Sequence, residues 1–164
     1  MSRIGFTVPD APPAAYYGSF YDTTTQSITS TASAYAMTFN TTDISNGISI
    51  VSGSQVLFNN AGIYNVQFSA QLQRSNSGTD TVEIWPGVNG SYIPWSNGIV
   101  TMTGGANANP LIAAWNYIIS VNAGEYFSLY WRASDTHISI TSSASSTAPN
   151  RPAIPSIILT AVQV

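Results

Sequence analysis

The sequence predicts an all-β domain, a sandwich or barrel assembled from many short strands. Two observations carry that expectation. From Tyr16 onward no stretch repeats its apolar residues at the helical period, whereas Gly62–Gln73 alternates strictly. Turn signals also recur at spacings of about 8–12 residues, the rhythm of antiparallel sheets. Among them are Asn-Gly pairs at 46–47, 89–90 and 97–98. A chain of 164 residues with 44% hydrophobic content fits one domain. Such a domain buries roughly 70% of its unfolded surface.

Taken in order, residues 1–14 read as an extended arm. Ile4, Phe6 and Val8 alternate, and Pro9, Pro12 and Pro13 then forbid a helix and remove backbone donors. An arm of this kind frays unless a surface receives it, so Ile4, Phe6 and Val8 are candidate docking residues. Residues 15–164 read as the domain. In Gly62–Gln73, Tyr64, Val66, Phe68, Ala70 and Leu72 share one face, and Asn65, Gln67, Ser69, Gln71 and Gln73 share the other. Asn89-Gly90 is expected to join a strand at Val82–Val88 to one at Ser91–Trp95, with Pro86 implying a bulge or edge position. Leu111–Val121 directs Trp115, Tyr117, Ile119 and Val121 to one side, and Glu125–Trp131 directs Phe127, Leu129 and Trp131 to one side. Asn122-Ala123-Gly124 reads as the short hairpin loop between them. Thr141–Thr147 and the prolines at 149, 152 and 155 read as loop. The last strand, Ile154–Val164, is apolar on both sides: Ile157, Leu159 and Ala161 on one, Ile158, Val162 and Val164 on the other. Two-sided strands usually sit in parallel sheets covered by helices. With no helix to offer, this chain must cover the second face with another strand layer or with another copy of itself, and the second copy is the expectation.

Composition narrows the function. Only 7% of residues are charged, against about 25% in ordinary soluble domains. Ser, Thr and Asn, at about a third of the chain, supply the polarity instead. There is no lysine, and Arg3, Arg74, Arg132 and Arg151 are scattered in a chain of net charge −3. Nothing there neutralises a phosphate backbone, so no nucleic-acid partner is expected. No apolar run approaches the ~18 residues of a membrane helix, so no membrane partner is expected either, and the N-terminal stretch lacks the apolar core of a signal peptide, so Sec export is not expected. The absence of cysteine excludes disulfides and thiolate metal sites.

Gly62-Ile63-Tyr64-Asn65-Val66-Gln67-Phe68 resembles the Gly-x-Tyr-x-x-x-Phe strand of the tumour-necrosis-factor-like and complement-globular-head jelly rolls. Phe39 to Phe58 matches the variable stretch before that motif. Ile119-Ser120-Val121-Asn122-Ala123-Gly124-Glu125-Tyr126 is similar to the family's Gly-Asp loop, with Glu125 in place of the usual Asp. The resemblance covers about Tyr16 to Val164. It implies a jelly-roll β-sandwich of two antiparallel sheets and a homotrimer whose inner sheet, terminal strand included, lines the threefold axis. Ile158, Val162, Val164 and Tyr16 are the interface residues so implied. The wording of Tyr130-Trp131 and of Pro152-Ala153-Ile154-Pro155-Ser156-Ile157-Ile158-Leu159-Thr160 is most similar to virion proteins of bacteriophages and related viruses.

No catalytic constellation is legible. His137 is the sole histidine, and Asp135 beside it reads as a loop-end polar pair rather than an oriented triad. The seven acids show no pairing of the kind a glycosidase needs, and Asp80-Thr81-Val82-Glu83 is too sparse for a calcium loop. No cofactor and no metal are expected. The aromatics on strand faces read as core. Trp85, Tyr92 and Trp95 flank the Asn89-Gly90 turn, where packing against the neighbouring loop or subunit is the first expectation and an assembly contact the second; Tyr92 and Trp95 are also candidate glycan contacts. The expectation is a non-enzymatic structural protein on a virion exterior, a trimeric capsid decoration or short head fibre or spike, held to a capsid or tail protein by its arm. The alternative is the receptor-binding tip of a tail fibre that recognises host surface carbohydrate.

Overall fold

The computed structural model describes residues 15–106 and 110–164. The proposed arm, with Ile4, Phe6 and Val8, lies outside the described residues. Within them the chain runs through β1 (Tyr17–Asp22), β2 (Gln26–Ser27), β3 (Tyr35–Ala36), β4 (Thr41–Asn46), β5 (Ile48–Val51), β6 (Gln55–Phe58), β7 (Gly62–Arg74) and β8 (Gly78–Val88). It continues through β9 (Ser91–Tyr92), β10 (Gly98–Gly104), β11 (Leu111–Val121), β12 (Tyr126–Ala133), β13 (Ile138–Ile140), β14 (Ser146–Thr147), β15 (Asn150–Arg151) and β16 (Ile157–Gln163). No helix among the described residues is long and apolar enough to cross a membrane.

Two antiparallel sheets face each other. The first runs β4–β1–β16–β7–β11, with β13 and β2 continuing beside the far end of β7. The second runs β10–β8–β12–β6–β5, with β3 beside β12 and β9 beside β8. The period-2 pattern explains the packing. Tyr64, Val66, Phe68, Ala70 and Leu72 of β7 are all buried, as expected from their parity. They meet Phe20, Ile157, Leu159 and Ala161 of the first sheet and Val56, Phe58, Phe127, Leu129 and Trp131 of the second in one buried cluster. Phe68 packs its face near the edge of Trp115 at 4.8 Å, and Phe58 tilts over Tyr64 at 4.5 Å, geometries that add to simple area burial.

The Asn89-Gly90 turn forms as expected. Both residues have positive φ, 50° and 78°, and Gly87 and Val88 pair with Tyr92 and Ser91. Pro86 occupies a local edge: β10 has parted from β8 after Ile84, and β9 joins only at Gly87.

Two expectations are corrected. Residues 122–124 do not close a hairpin, because β11 pairs with β7 and β12 pairs with β8. A Gly-containing short loop serves an arch between sheets equally well, and the edges of β12 are already taken by β8 and by β6 and β3. The arch is tied down instead of paired. Gly124, at φ 86°, donates its amide to the Phe58 carbonyl at 2.7 Å. Glu125, the departure from the family's Asp, accepts the Asn122 amide at 2.8 Å and the Asn89 side-chain amide at 3.1 Å. Those bonds, the Asn122 amide foremost, hold its carboxyl below the ordinary value of 4.5.

Asn97-Gly98 is the second correction. Gly98 has no positive φ; it opens β10, and a Cβ there would lie 2.7 Å from the Trp115 ring. Close approach of an aromatic, not turn geometry, requires this glycine. A Gly98→Ala substitution is expected to cost about 1–3 kcal/mol as Trp115 is displaced, read as a lowered urea midpoint with unchanged slope.

Candidate functional site

The terminal strand answers the two-sidedness of its sequence asymmetrically. Ile157, Leu159 and Ala161 are fully buried against the chain's own core, whereas Ile158 is 39% exposed, Val162 44% and Val164 72%. The second face is uncovered in the single chain. Register shows what lies beside it. Tyr21, Ile158, Ser69 and Ala114 form one row across β1, β16, β7 and β11. Ser19, Thr160, Gln67 and Asn116 form the next, and Tyr17, Val162, Asn65 and Ile118 the third. Ile63 and Ile112, also exposed, extend the apolar part along β7 and β11. Apolar rows therefore flank a row of hydroxyls and amides, and no outward side chain on β1, β7, β11 or β16 is charged. Exposed apolar residues clustered in this way mark an association surface.

Tyr16 does not belong to that face. It packs against the core on the inward side, while Tyr17, of opposite parity, stands beside Val162. The alternation of β1 sets this, since Gly18, Phe20 and Asp22 are its inward residues. At the rim of the face a cleft of about 710 Å³ opens between Tyr21, Ile158 and the 142–144 and 152–155 segments.

A second feature lies on the outward face of the opposite sheet. β8 directs Glu83 and Trp85 outward, and β12 directs Tyr130 and Arg132 outward beside them. The Asn89-Gly90 turn brings Tyr92 back over this surface. Tyr92 meets Trp85 edge-on at 5.5 Å and Tyr130 at 5.0 Å, and Trp85 and Tyr130 stack at 6.4 Å. The chain then bends through Trp95, whose side chain is wholly exposed and whose φ is 61°. A bulky residue in the left-handed region costs of order 1–3 kcal/mol and persists only where the surroundings hold it. Here they do: Ser96 donates its hydroxyl to the Ile93 carbonyl at 2.6 Å, and the Tyr117 hydroxyl donates from below to the Ser96 carbonyl at 3.3 Å. The Trp115 indole in turn donates to Tyr117.

Glu83, Trp85, Tyr92, Trp95 and Arg132, with the 32–34 turn, line an open pocket of about 430 Å³. Its polar members converge. Arg132 Nε lies 3.2 Å from Glu83 Oε1, and Asn97 Nδ2 donates to Glu83 Oε2 at 2.8 Å. The Arg132 side chain makes no hydrogen bond among the described residues, because its Nε–H is poorly aligned with Glu83. Of the two residues singled out from sequence, the structure brings both Tyr92 and Trp95 to this pocket. Glu83, Trp85, Asn97 and Arg132 come with them. Their signal was parity: Glu83 and Trp85 alternate with buried Val82 and Ile84, and Tyr130 and Arg132 with buried Leu129 and Trp131.

The remaining titratable groups form no catalytic arrangement among the described residues. His137 Nδ1 lies 2.7 Å from Asp135 Oδ1 in the exposed turn between β12 and β13, and Asn76 donates to the other oxygen at 2.9 Å. The His137 amide, also bonded to Asp135, leads the contacts that hold that carboxyl below its ordinary value. Among the described residues no three of His, Cys, Asp and Glu converge as metal ligands would.

No family model matches the chain, and no curated protein matches it. Among solved structures it is similar to the crystal structure of murine APRIL at pH 5.0, with a TM-score of 0.58 and 12% identity over 92% of this chain and 100% of that one. APRIL is a jelly roll of the tumour-necrosis-factor family, and the likeness establishes a TNF-like β-sandwich for this chain.

Proposed function

We propose that the chain is a non-enzymatic structural protein that self-associates as a homotrimer through the open face of β1, β16, β7 and β11. Its place is the exterior of a virion, as a capsid decoration or short head fibre or spike, docked to a capsid or tail protein by residues 1–14. The observation that carries the reading is the uncharged face itself. Fully burying an exposed isoleucine stabilises by about 1.5–3 kcal/mol, and the exposed parts of Ile158, Val162, Ile118, Ile63 and Ile112 each contribute a share of that, so together they can drive association. The central row of Ser19, Thr160, Gln67 and Asn116 supplies donors and acceptors that a wet, symmetric contact can satisfy. What supports the viral setting is the wording of Tyr130-Trp131 and of 152–160, together with a surface too poor in charge for electrostatic sticking.

The test has two parts. Sedimentation of the purified chain at micromolar concentration is expected to give three times the mass of one chain; a dispersed single chain would overturn the assembly. Removal of residues 1–13 is expected to abolish attachment to particles while the oligomer persists, and full retention on particles would overturn the docking role. A receptor-binding tip is the second reading, and the aromatic pocket around Trp95 is the observation that favours it.

A further inference from the structure

We infer that the pocket between Trp85, Tyr92, Trp95, Glu83, Asn97 and Arg132 binds a neutral pyranose ring of a glycan. The inference supplies the ligand class for the receptor-binding reading and is independent of self-association. The pocket faces away from the association face, so an oligomer built on the opposite sheet leaves it open.

Three observations select this ligand. Trp95 is wholly exposed, and the Ser96 and Tyr117 bonds beside it hold the backbone that carries it in the left-handed region, so its ring projects from the bend as an unpacked apolar plate. Nothing in the packing of the core uses that ring. The C–H face of a sugar suits such a plate, and Tyr92, more than half exposed, offers a second beside it.

The polar groups add direction. Glu83 offers carboxylate acceptors, while Asn97 and Arg132 offer donors, all at one end of a pocket of about 430 Å³. That size lies within the range of ordinary small-ligand sites, roughly 300–1,000 Å³. Neighbouring hydroxyls on a sugar ring both donate and accept, so they can satisfy the two kinds of group at once. A proline-rich peptide offers a comparable apolar surface but mainly carbonyl acceptors, and would bring no donor of its own to the Glu83 carboxylate.

Charge decides between sugars. Arg132 and Glu83 stand 3.2 Å apart and cancel. An incoming carboxylate or phosphate gains Arg132 only by approaching Glu83, and an amino sugar cation meets the reverse. A neutral ring has no such conflict.

The experiment is calorimetric titration of the intact protein with neutral oligosaccharides of glucose, galactose, mannose and N-acetylglucosamine, beside sialylated and uronate-containing ones and a proline-rich peptide. Saturable binding of at least one neutral oligosaccharide is expected, weakened about tenfold or more in Trp95→Ala. Trp95 touches no core residue, so that variant folds; Glu83→Gln, which keeps the shape, is expected to weaken binding as well. Silence across the neutral set at millimolar ligand, binding confined to acidic sugars or to the peptide, or full affinity in Trp95→Ala would each overturn the inference. A protein that binds the sugar in solution yet fails to adsorb to host cells would retire the receptor reading and leave the pocket's ligand class standing.

Discussion

An Ile158→Asp variant is expected to sediment as single chains or as aggregate, with the proposed trimer lost. Ile158 sits between Tyr21 and Ser69 in the open face, with its backbone neighbours Ile157 and Leu159 fully buried in the chain's own core. The substitution therefore leaves the fold's interior untouched and alters the face alone. Closing the face over a carboxylate removes it from water with no cation on the face to pair it, since no outward residue on β1, β7, β11 or β16 carries a charge. The effective penalty is several kcal/mol per ion, and the proposed threefold assembly would impose it three times around one axis. Ile99→Asp is the matched control. Ile99 is 65% exposed on β10 of the opposite sheet, and that variant is expected to keep the parent's mass. Trimer mass unchanged in Ile158→Asp would remove the face from the assembly.

What the sequence made legible was parity, and what it hid was pairing. The alternation of Gly62–Gln73 identified the inward residues of β7 because a strand has no other way to separate apolar from polar side chains. The same logic exposed the double character of Ile157–Val162. It was silent at Tyr16 and Tyr17, where two adjacent aromatics leave the phase of β1 undetermined until Gly18 and Phe20 are seen to face the core, and the resemblance that placed Tyr16 at the interface chose the wrong one of the two for that face. It also failed at Asn122-Ala123-Gly124, since a short glycine loop has the same local chemistry whether the chain returns beside itself or crosses to the other sheet. Only the distant edges of β7 and β8 decide that. The pocket was half visible for the same reason. Tyr92 and Trp95 are near one turn in the chain, but Arg132 reaches Glu83 only because β12 pairs with β8, a contact between residues far apart in sequence. Gly98 was read as a turn former when its role is to admit the Trp115 ring.

Arg74→Met is expected to be the most destabilising of the single substitutions proposed for this chain, by about 3–5 kcal/mol. Arg74 is almost wholly buried at the end of β7 and lies 2.7 Å from Asp80 on β8, so the pair joins the two sheets across their interior edge. Its guanidinium also donates to the carbonyls of Gly78 and Met102 and to the Asn76 side chain. Removing the cation strands the Asp80 carboxylate, whose remaining side-chain partner is the Ser134 hydroxyl at 3.1 Å. In a domain of this size the loss corresponds to a Tm lower by roughly 6–20 °C. Mere loss of packing would predict much less, because methionine fills most of the arginine stem's volume. The double variant Arg74→Met/Asp80→Leu separates the explanations. If the damage comes from the orphaned charge, removing it as well restores part of the loss, since Ser134 still accepts the Thr81 amide at 2.9 Å. If the two substitutions simply add, the pair contributes through shape and through the Gly78 and Met102 carbonyls instead, and the coupling energy from the cycle is near zero. The first result is the one expected, because a buried ion pair costs most when only half of it remains.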